Sequence, residues 1–131
     1  MVTAVTSGVV ATLLAESAAA HPREACGLLL GQNGLIERAV ATANVAADPL
    51  RRFEIDPAAL IAAHQAERRG GAQLVGFWHS HPSGSCEPSA TDRAGAARDG
   101  RVWAIVGGGE IGWWCDTADG FVALSTTVVD G

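Results

Sequence analysis

The sequence predicts an α/β fold with a mixed β-sheet and about three helices. Three observations predict it. The runs Cys26–Gly31 (CGLLLG) and Gln73–His79 (QLVGFWH) have the length and apolar content of buried strands. Helical spacing over 8–20 precedes the first run, and a helix start at Asp56-Pro57 lies between the two. A chain of 131 residues, 48% apolar and 18% charged, has one domain's length and enough apolar surface for a core.

Ser7 is the candidate cap of a helix over 8–20, in which Val9, Val10, Leu13, Leu14 and Ser17 fall near helical spacing. His21-Pro22 ends it, because proline disfavours helix in the residue before it. CGLLLG follows as a strand, Asn33-Gly34 signals a tight turn, and Leu35–Asn44 reads as the returning strand of a hairpin. Residues 45–52 form a loop around Asp48-Pro49, and Phe53–Ile55 reads as a short strand. Asp56-Pro57 joins a capping carboxylate to a proline at the first helical position. That helix runs to about Arg69, where Gly70-Gly71 stops it. After the strand Gln73–His79 come a loop rich in Ser, Gly and Pro over 81–88 and a short helix over Ser89–Arg98. Arg101–Val106, Glu110–Cys115 and Phe121–Val129 read as strands, with turns at Gly107–Gly109 and Asp119-Gly120. No linker, repeat or low-complexity tract interrupts 1–131, which therefore reads as a single domain.

The composition excludes several function classes. A net charge of −5, with all nine cations arginine, argues against a nucleic-acid partner. Three cysteines without CxxC spacing do not form a disulfide framework, and a reducing, cytoplasmic setting is the default. No apolar run is long enough to span a bilayer, so no membrane partner is expected. Residues 9–15 with Ala18–Ala20 look like a leader's apolar region and cleavage site. However, no cation precedes them and Glu16 follows, so they read as helix.

The chemistry concentrates in His79-Ser80-His81-Pro82, six further residues, then Ser89-Ala90-Thr91-Asp92. Two histidines at i and i+2 on a strand end project to one side and can reach one ion. Neutral imidazoles suit zinc, and a carboxylate from the next helix supplies a third ligand. Three protein ligands leave a position for water, as catalytic rather than structural zinc sites do. Ser-x-x-Asp before a helix is equally the signature of a capping box, and a lone His-x-His is commonly structural. The joint spacing favours the metal.

With Glu24 upstream, these residues resemble the JAMM/MPN metallopeptidases, zinc isopeptidases that act on ubiquitin and ubiquitin-like proteins. The segment Pro22–Gly31 and the stretch from Asn44 to Pro57, with Phe53 and Asp56-Pro57, are similar to small prokaryotic members, and the likeness covers about residues 5–110. The resemblance implies a three-layer, cytidine-deaminase-like (MPN) fold with a curved mixed sheet. It implies one Zn²⁺ per chain on His79, His81 and Asp92. It assigns Glu24 as general acid/base on the zinc-activated water and Ser89 as the hydroxyl that stabilises the tetrahedral intermediate.

The implied activity is cleavage after the C-terminal Gly of a ubiquitin-like or sulfur-carrier protein with a Gly-Gly tail. The alternative is an isopeptidase of a bacterial ubiquitin-like conjugation system, including anti-phage systems. A non-catalytic MPN scaffold is disfavoured because no ligand is missing. A nucleobase deaminase would need His-x-Glu and Pro-Cys-x-x-Cys, which do not occur. The sequence does not specify an oligomeric state. An extended tail is expected to add as a strand beside Arg52-Phe53-Glu54. Cys26 and Cys115 read as small buried hydrophobes, and Cys86 as either a passive loop thiol or a thiolate able to reach the zinc. His21 and His64 read as helix-end and helix-edge residues, the four tryptophans as core or groove lining, and Arg51-Arg52 as a solvated loop.

Overall fold

The computed structural model describes residues 3–32 and 34–131, so the Asn33 half of the expected Asn33-Gly34 turn lies outside the described residues. In chain order the elements are β1 (Thr3–Thr6), α1 (Ser7–Ala20), β2 (Cys26–Gln32), β3 (Leu35–Thr42), α2 (Pro57–Arg68), β4 (Gln73–Ser80), α3 (Ala90–Gly95), β5 (Val102–Gly107), β6 (Glu110–Thr117), β7 (Gly120–Ala123) and β8 (Thr126–Val129). The strands form one mixed sheet in the order β7-β6-β5-β4-β2-β3-β1-β8. β4 runs parallel to β5, and β1 parallel to β3 and β8, while the other pairs are antiparallel.

The central strands are apolar on both faces, and this produces three layers. On β2, Leu29 points into a core with Val9 and Leu13 of α1, Ile36 and Trp78. Its neighbours Leu28 and Leu30 point the other way, to Leu74, Ile55 and the Leu60–Ala63 face of α2. Successive strand side chains alternate between faces, so a continuous apolar run needs a cover on each side. α1 covers one face and α2 the other. At the centre Trp78 is fully buried, and its indole N–H donates to the Val40 carbonyl at 3.2 Å. Gly27, paired with Trp78 on β2, leaves the room: a Cβ there would overlap the Val40 carbonyl and the indole.

Five expectations are corrected. Thr6, not Ser7, caps α1: its hydroxyl accepts from the Val9 N–H at 3.2 Å while the residue also ends β1, a strand with no expectation behind it. Phe53–Ile55 is not a strand; only Ile55 bridges to Asn44, and Leu35–Thr42 stops short of Asn44. α3 ends at Gly95 rather than Arg98, because the chain turns extended at Ala96. The buried carboxylate of Asp116 then takes the Arg98 N–H at 2.9 Å, with Arg98 in the left-handed region at φ 55°. Finally, Phe121–Val129 divides at Leu124-Ser125, so that β7 and β8 occupy opposite edges of the sheet.

Candidate metal centre

Strand register assembles the site. His79 on β4 pairs with Cys26 on β2, which brings Glu24, just ahead of β2, beside the end of β4. Ser80 fastens this junction: its N–H donates to the Ala25 carbonyl at 3.0 Å and its hydroxyl accepts from the Ala25 N–H at 2.8 Å. The His81 N–H donates to the Val106 carbonyl at 2.8 Å, so β5 fixes the second histidine as the strand ends. Asp92 arrives on the first turn of α3, held by a capping box. The Ser89 hydroxyl accepts from the Asp92 N–H at 3.0 Å, and the Ser89 N–H donates to Asp92 Oδ2 at 2.9 Å.

Glu24, His79, His81 and Asp92 are all buried. His79 Nε2 lies 3.0 Å from His81 Nε2 and 3.1 Å from the Asp92 carboxylate, and His81 Nε2 lies 3.0 Å from Asp92 Oδ2. These atoms are slightly closer than neighbouring ligands of a tetrahedral zinc, for which bonds of about 2.0 Å imply roughly 3.3 Å. Tautomer chemistry makes the same point. His81 Nδ1 faces the Ser85 carbonyl at 2.9 Å, so it carries the hydrogen, and a neutral ring then turns the Nε2 lone pair to the carboxylate. Two lone pairs at 3.0 Å repel unless a cation or a proton lies between them. The donor set therefore fits a divalent cation, with His79, His81 and Asp92 able to hold it.

Without a cation, a proton between His81 and Asp92 relieves the same repulsion. Burial opposes charge on His81, but the hydrogen bond and charge of Asp92 outweigh it and raise the imidazole above its ordinary range. Burial pushes Asp92 up, yet the hydrogen bonds from His79 and His81 overcome this and hold the carboxyl well below the carboxylate range. Burial lowers His79, whose ring is fully enclosed. Phe53 stacks on that ring at 4.2 Å between centroids and 19° between planes, and Trp103 meets it edge-on at 5.7 Å. His79 Nδ1 has no partner among the described residues.

Glu24 differs from the other three. One ligand atom each from Glu24, His79 and His81 lie within 4.8 Å of one another, a looser spacing than the Asp92 contacts. Its Oε1 is buried without a hydrogen-bond partner among the described residues. Burial raises its pKa to about 7, with His81 lowering it and Asp92 adding to the rise. The carboxyl thus sits where it can exchange a proton near neutral pH with a group held between it and the three donors.

Glu24, His79, His81 and Asp92 therefore come together in the pattern read from the sequence, with Ser89 attached through the capping box. Phe53, Trp103, Ser80 and Asn44 also support the site without having been singled out for it. Ser80 lies inside the His-Ser-His-Pro motif, Phe53 was expected beside a substrate tail and Trp103 in the core or groove, while Asn44 carried no signal of its own. Cys86 is held by its main chain, its carbonyl accepting from the Trp114 indole at 3.0 Å, and Cys115 is half-buried rather than buried.

The fold is that of a JAB domain. Residues 6–116 match the family model described as prokaryotic homologs of the JAB domain, and the chain belongs to that family. It is 40% identical over 86 residues to a desampylase of Haloferax volcanii, covering 64% of this chain and 62% of that protein. It is 39% identical over 71 residues to a probable TtuB-protein conjugate cleaving protease of Thermus thermophilus, covering 54% of this chain and 47% of that protein. The chain thus spans less than two thirds of the length of either relative. A solution structure from Desulfitobacterium hafniense superimposes with a TM-score of 0.85 at 26% identity, over 98% of this chain and 94% of that one. A JAB1/MPN domain protein of Archaeoglobus fulgidus shares the fold, with a TM-score of 0.61 at 22% identity over 95% and 96% of the two chains. Among the described residues no helix is long and apolar enough to cross a membrane.

Proposed function

We propose that this protein is a zinc-dependent peptidase or isopeptidase that cleaves after the C-terminal glycine of a ubiquitin-like or sulfur-carrier protein in the cytoplasm. The observation that carries the proposal is the convergence of His79, His81 and Asp92 at 3.0–3.1 Å beside the Glu24 carboxyl, whose Oε1 has no partner among the described residues. The names of the relatives in Haloferax and Thermus support a ubiquitin-like or sulfur-carrier conjugate as substrate.

When bound, zinc supplies a Lewis acid that polarises the scissile carbonyl and brings the acidity of water towards pH 7. Glu24 takes the proton of the attacking water. Its pKa of about 7 lets it hold that proton and then give it to the departing amine. The Ser89 hydroxyl uses a lone pair to cap α3 and keeps its own hydrogen, which it donates to the carbonyl oxygen as charge builds there. Phe53 and Trp103 fix the His79 ring and exclude water from one side.

The expected tail site beside Arg52-Phe53-Glu54 stays part of the proposal, narrowed to the Phe53 N–H and carbonyl, because the two flanking residues bond to the opposite side. The Arg52 carbonyl and the Glu54 N–H and carbonyl are already bonded to Asn44 and Val45, and the Phe53 ring faces His79. The proposal is tested by offering purified protein, with zinc or with chelator, carrier proteins joined through a C-terminal Gly-Gly to a peptide or to a lysine side chain. Zinc-dependent release after the glycine is expected. No release from any such carrier by the zinc-loaded protein would overturn the proposal.

A further inference from the structure

The loop between β3 and α2 carries the aromatic ring that covers His79, and one side chain holds that loop. Asn44 uses its whole amide. Nδ2 donates to the Glu24 carbonyl at 2.9 Å and to the Arg52 carbonyl at 3.0 Å. Oδ1 accepts from the Ala46 N–H at 3.0 Å and the Glu54 N–H at 3.1 Å. Two donated and two accepted bonds exhaust what a primary amide offers. The partners come from three places: Glu24 two residues ahead of β2, the start of the loop, and both neighbours of Phe53. On its other side Glu24 is tied to the same loop, its N–H donating to the Pro49 carbonyl at 2.8 Å.

We propose that Asn44 is a positioning residue that sets the Glu24 backbone and the Phe53 ring relative to His79 in a single clamp. The inference rests on the reading of Glu24 as the acid/base group, and its consequences follow from connectivity. Glu24 lies outside any strand, between the turn after α1 and the first residue of β2. Its main chain is held by Asn44 and Pro49 on the loop side and, through Ala25, by Ser80 on the β4 side. Phe53 lies outside any strand as well. Its place over His79 is fixed by the bonds made at Arg52 and Glu54, since side chains on irregular backbone move with that backbone. No shorter side chain makes both sets of bonds. Aspartate keeps the two acceptor contacts but loses both donor contacts, and alanine loses all four.

The test compares the zinc-loaded wild type with Asn44→Ala and Asn44→Asp. Asp56→Ala serves as a stability control, because it removes the α2 cap, where the Asp56 carboxylate accepts from the Ala58 N–H at 3.0 Å. Three measurements are made. Amide exchange over residues 45–54 is expected to speed at least roughly tenfold in Asn44→Ala, with α2 and the sheet unchanged. Zinc transfer to a chelator is expected to speed by a similar factor as Phe53 leaves His79. On the carrier substrate, kcat is expected to fall at least roughly tenfold with KM within about twofold, while Asp56→Ala keeps its kcat. Asn44→Asp, which frees the Glu24 carbonyl but keeps Ala46 and Glu54 bonded, is expected to lose kcat with smaller changes in exchange. Unchanged exchange and zinc release in Asn44→Ala would overturn the clamp whether or not the protein cleaves a carrier. Accelerated exchange with an undiminished kcat would overturn the positioning role. A wild type that cleaves no carrier would overturn the proposed function instead, leaving exchange and zinc release to decide the clamp.

Discussion

Replacing Glu24 by glutamine in the zinc-free protein should change how stability depends on pH, by an amount the structure fixes. Glu24 is 7% exposed, and burial raises its pKa from 4.5 to about 7. A raised native pKa means that the folded chain holds the proton more tightly than the unfolded one. The resulting stabilisation is complete below pH 4.5 and is lost as pH rises through about 7. The interval is about 2.5 pH units, and at 1.36 kcal/mol for each the loss is about 3 kcal/mol. Glutamine does not titrate. The titrations of Asp92 and His81 occur in both proteins and largely cancel in the difference. The stability of the wild type relative to Glu24→Gln should therefore fall by about 3 kcal/mol between pH 4.5 and pH 8, or roughly 10 °C in melting temperature for a chain of this size. Urea unfolding of both proteins in chelator at several pH values measures this directly. Parallel pH profiles, with a difference constant to within about 1 kcal/mol, would refute a desolvated Glu24 at this position.

The remaining expectations are of three kinds. His79→Ala and Asp92→Asn should bind well under half of the single zinc that the wild type takes up, as metal analysis would show; full retention would remove those residues from the ligand set. Gly27→Ala should cost roughly 1–3 kcal/mol in denaturant unfolding, because the new methyl overlaps the Val40 carbonyl and the Trp78 indole; a melting temperature within a degree of wild type would mean that the centre of the sheet repacks freely. On the substrate side, changing the penultimate glycine of a carrier tail to valine should lower kcat/KM at least about tenfold, or 1.4 kcal/mol; equal rates for the two tails would mean that the tail does not pass close to His79 and His81.

Much of the site was legible because it is local. His79 and His81 are separated by one residue on a strand, and alternation alone puts them on one side. Ser89 and Asp92 share one helical turn, and Asp56-Pro57 announces α2 with a cap that the structure retains. What was not legible depends on contacts distant in sequence. β1 is four residues with no bounding turn, and it is a strand because β3 and β8 flank it. Phe53 looked like a strand residue because Phe53 and Ile55 alternate with the charged Arg52 and Glu54. Asn44 consumes the bonds that such a strand would have made, and no local propensity encodes that. α3 stops early because Asp116, eighteen residues beyond Arg98, draws the chain away.

Ser89 shows where two readings of one motif coincide. As a capping box, Ser-x-x-Asp needs the serine oxygen as an acceptor and the aspartate oxygen as a partner for the serine N–H, and both bonds are present. As part of a catalytic centre, it needs the serine hydrogen as a donor and the aspartate as a ligand. These demands fall on different lone pairs and hydrogens: a hydroxyl that accepts from the Asp92 N–H still has its own O–H to give. The Asp92 carboxylate has capacity for the Ser89 N–H as well as for the two histidine nitrogens. One pair of residues can therefore both start α3 and serve the chemistry, and two substitutions separate the roles. Ser89→Ala should lose about 1 kcal/mol of stability, because alanine is a poor cap, whereas Ser89→Gly should lose only a few tenths. Both remove the hydroxyl, so both should lower kcat roughly 10²-fold with KM little changed. Melting temperature and kcat measured on the same preparations decide the matter. If the rate tracks stability, with Ser89→Gly nearly as active as wild type, then Ser89 is a cap alone. A similar fall in rate for both variants, despite their different stabilities, assigns the hydroxyl to the reaction.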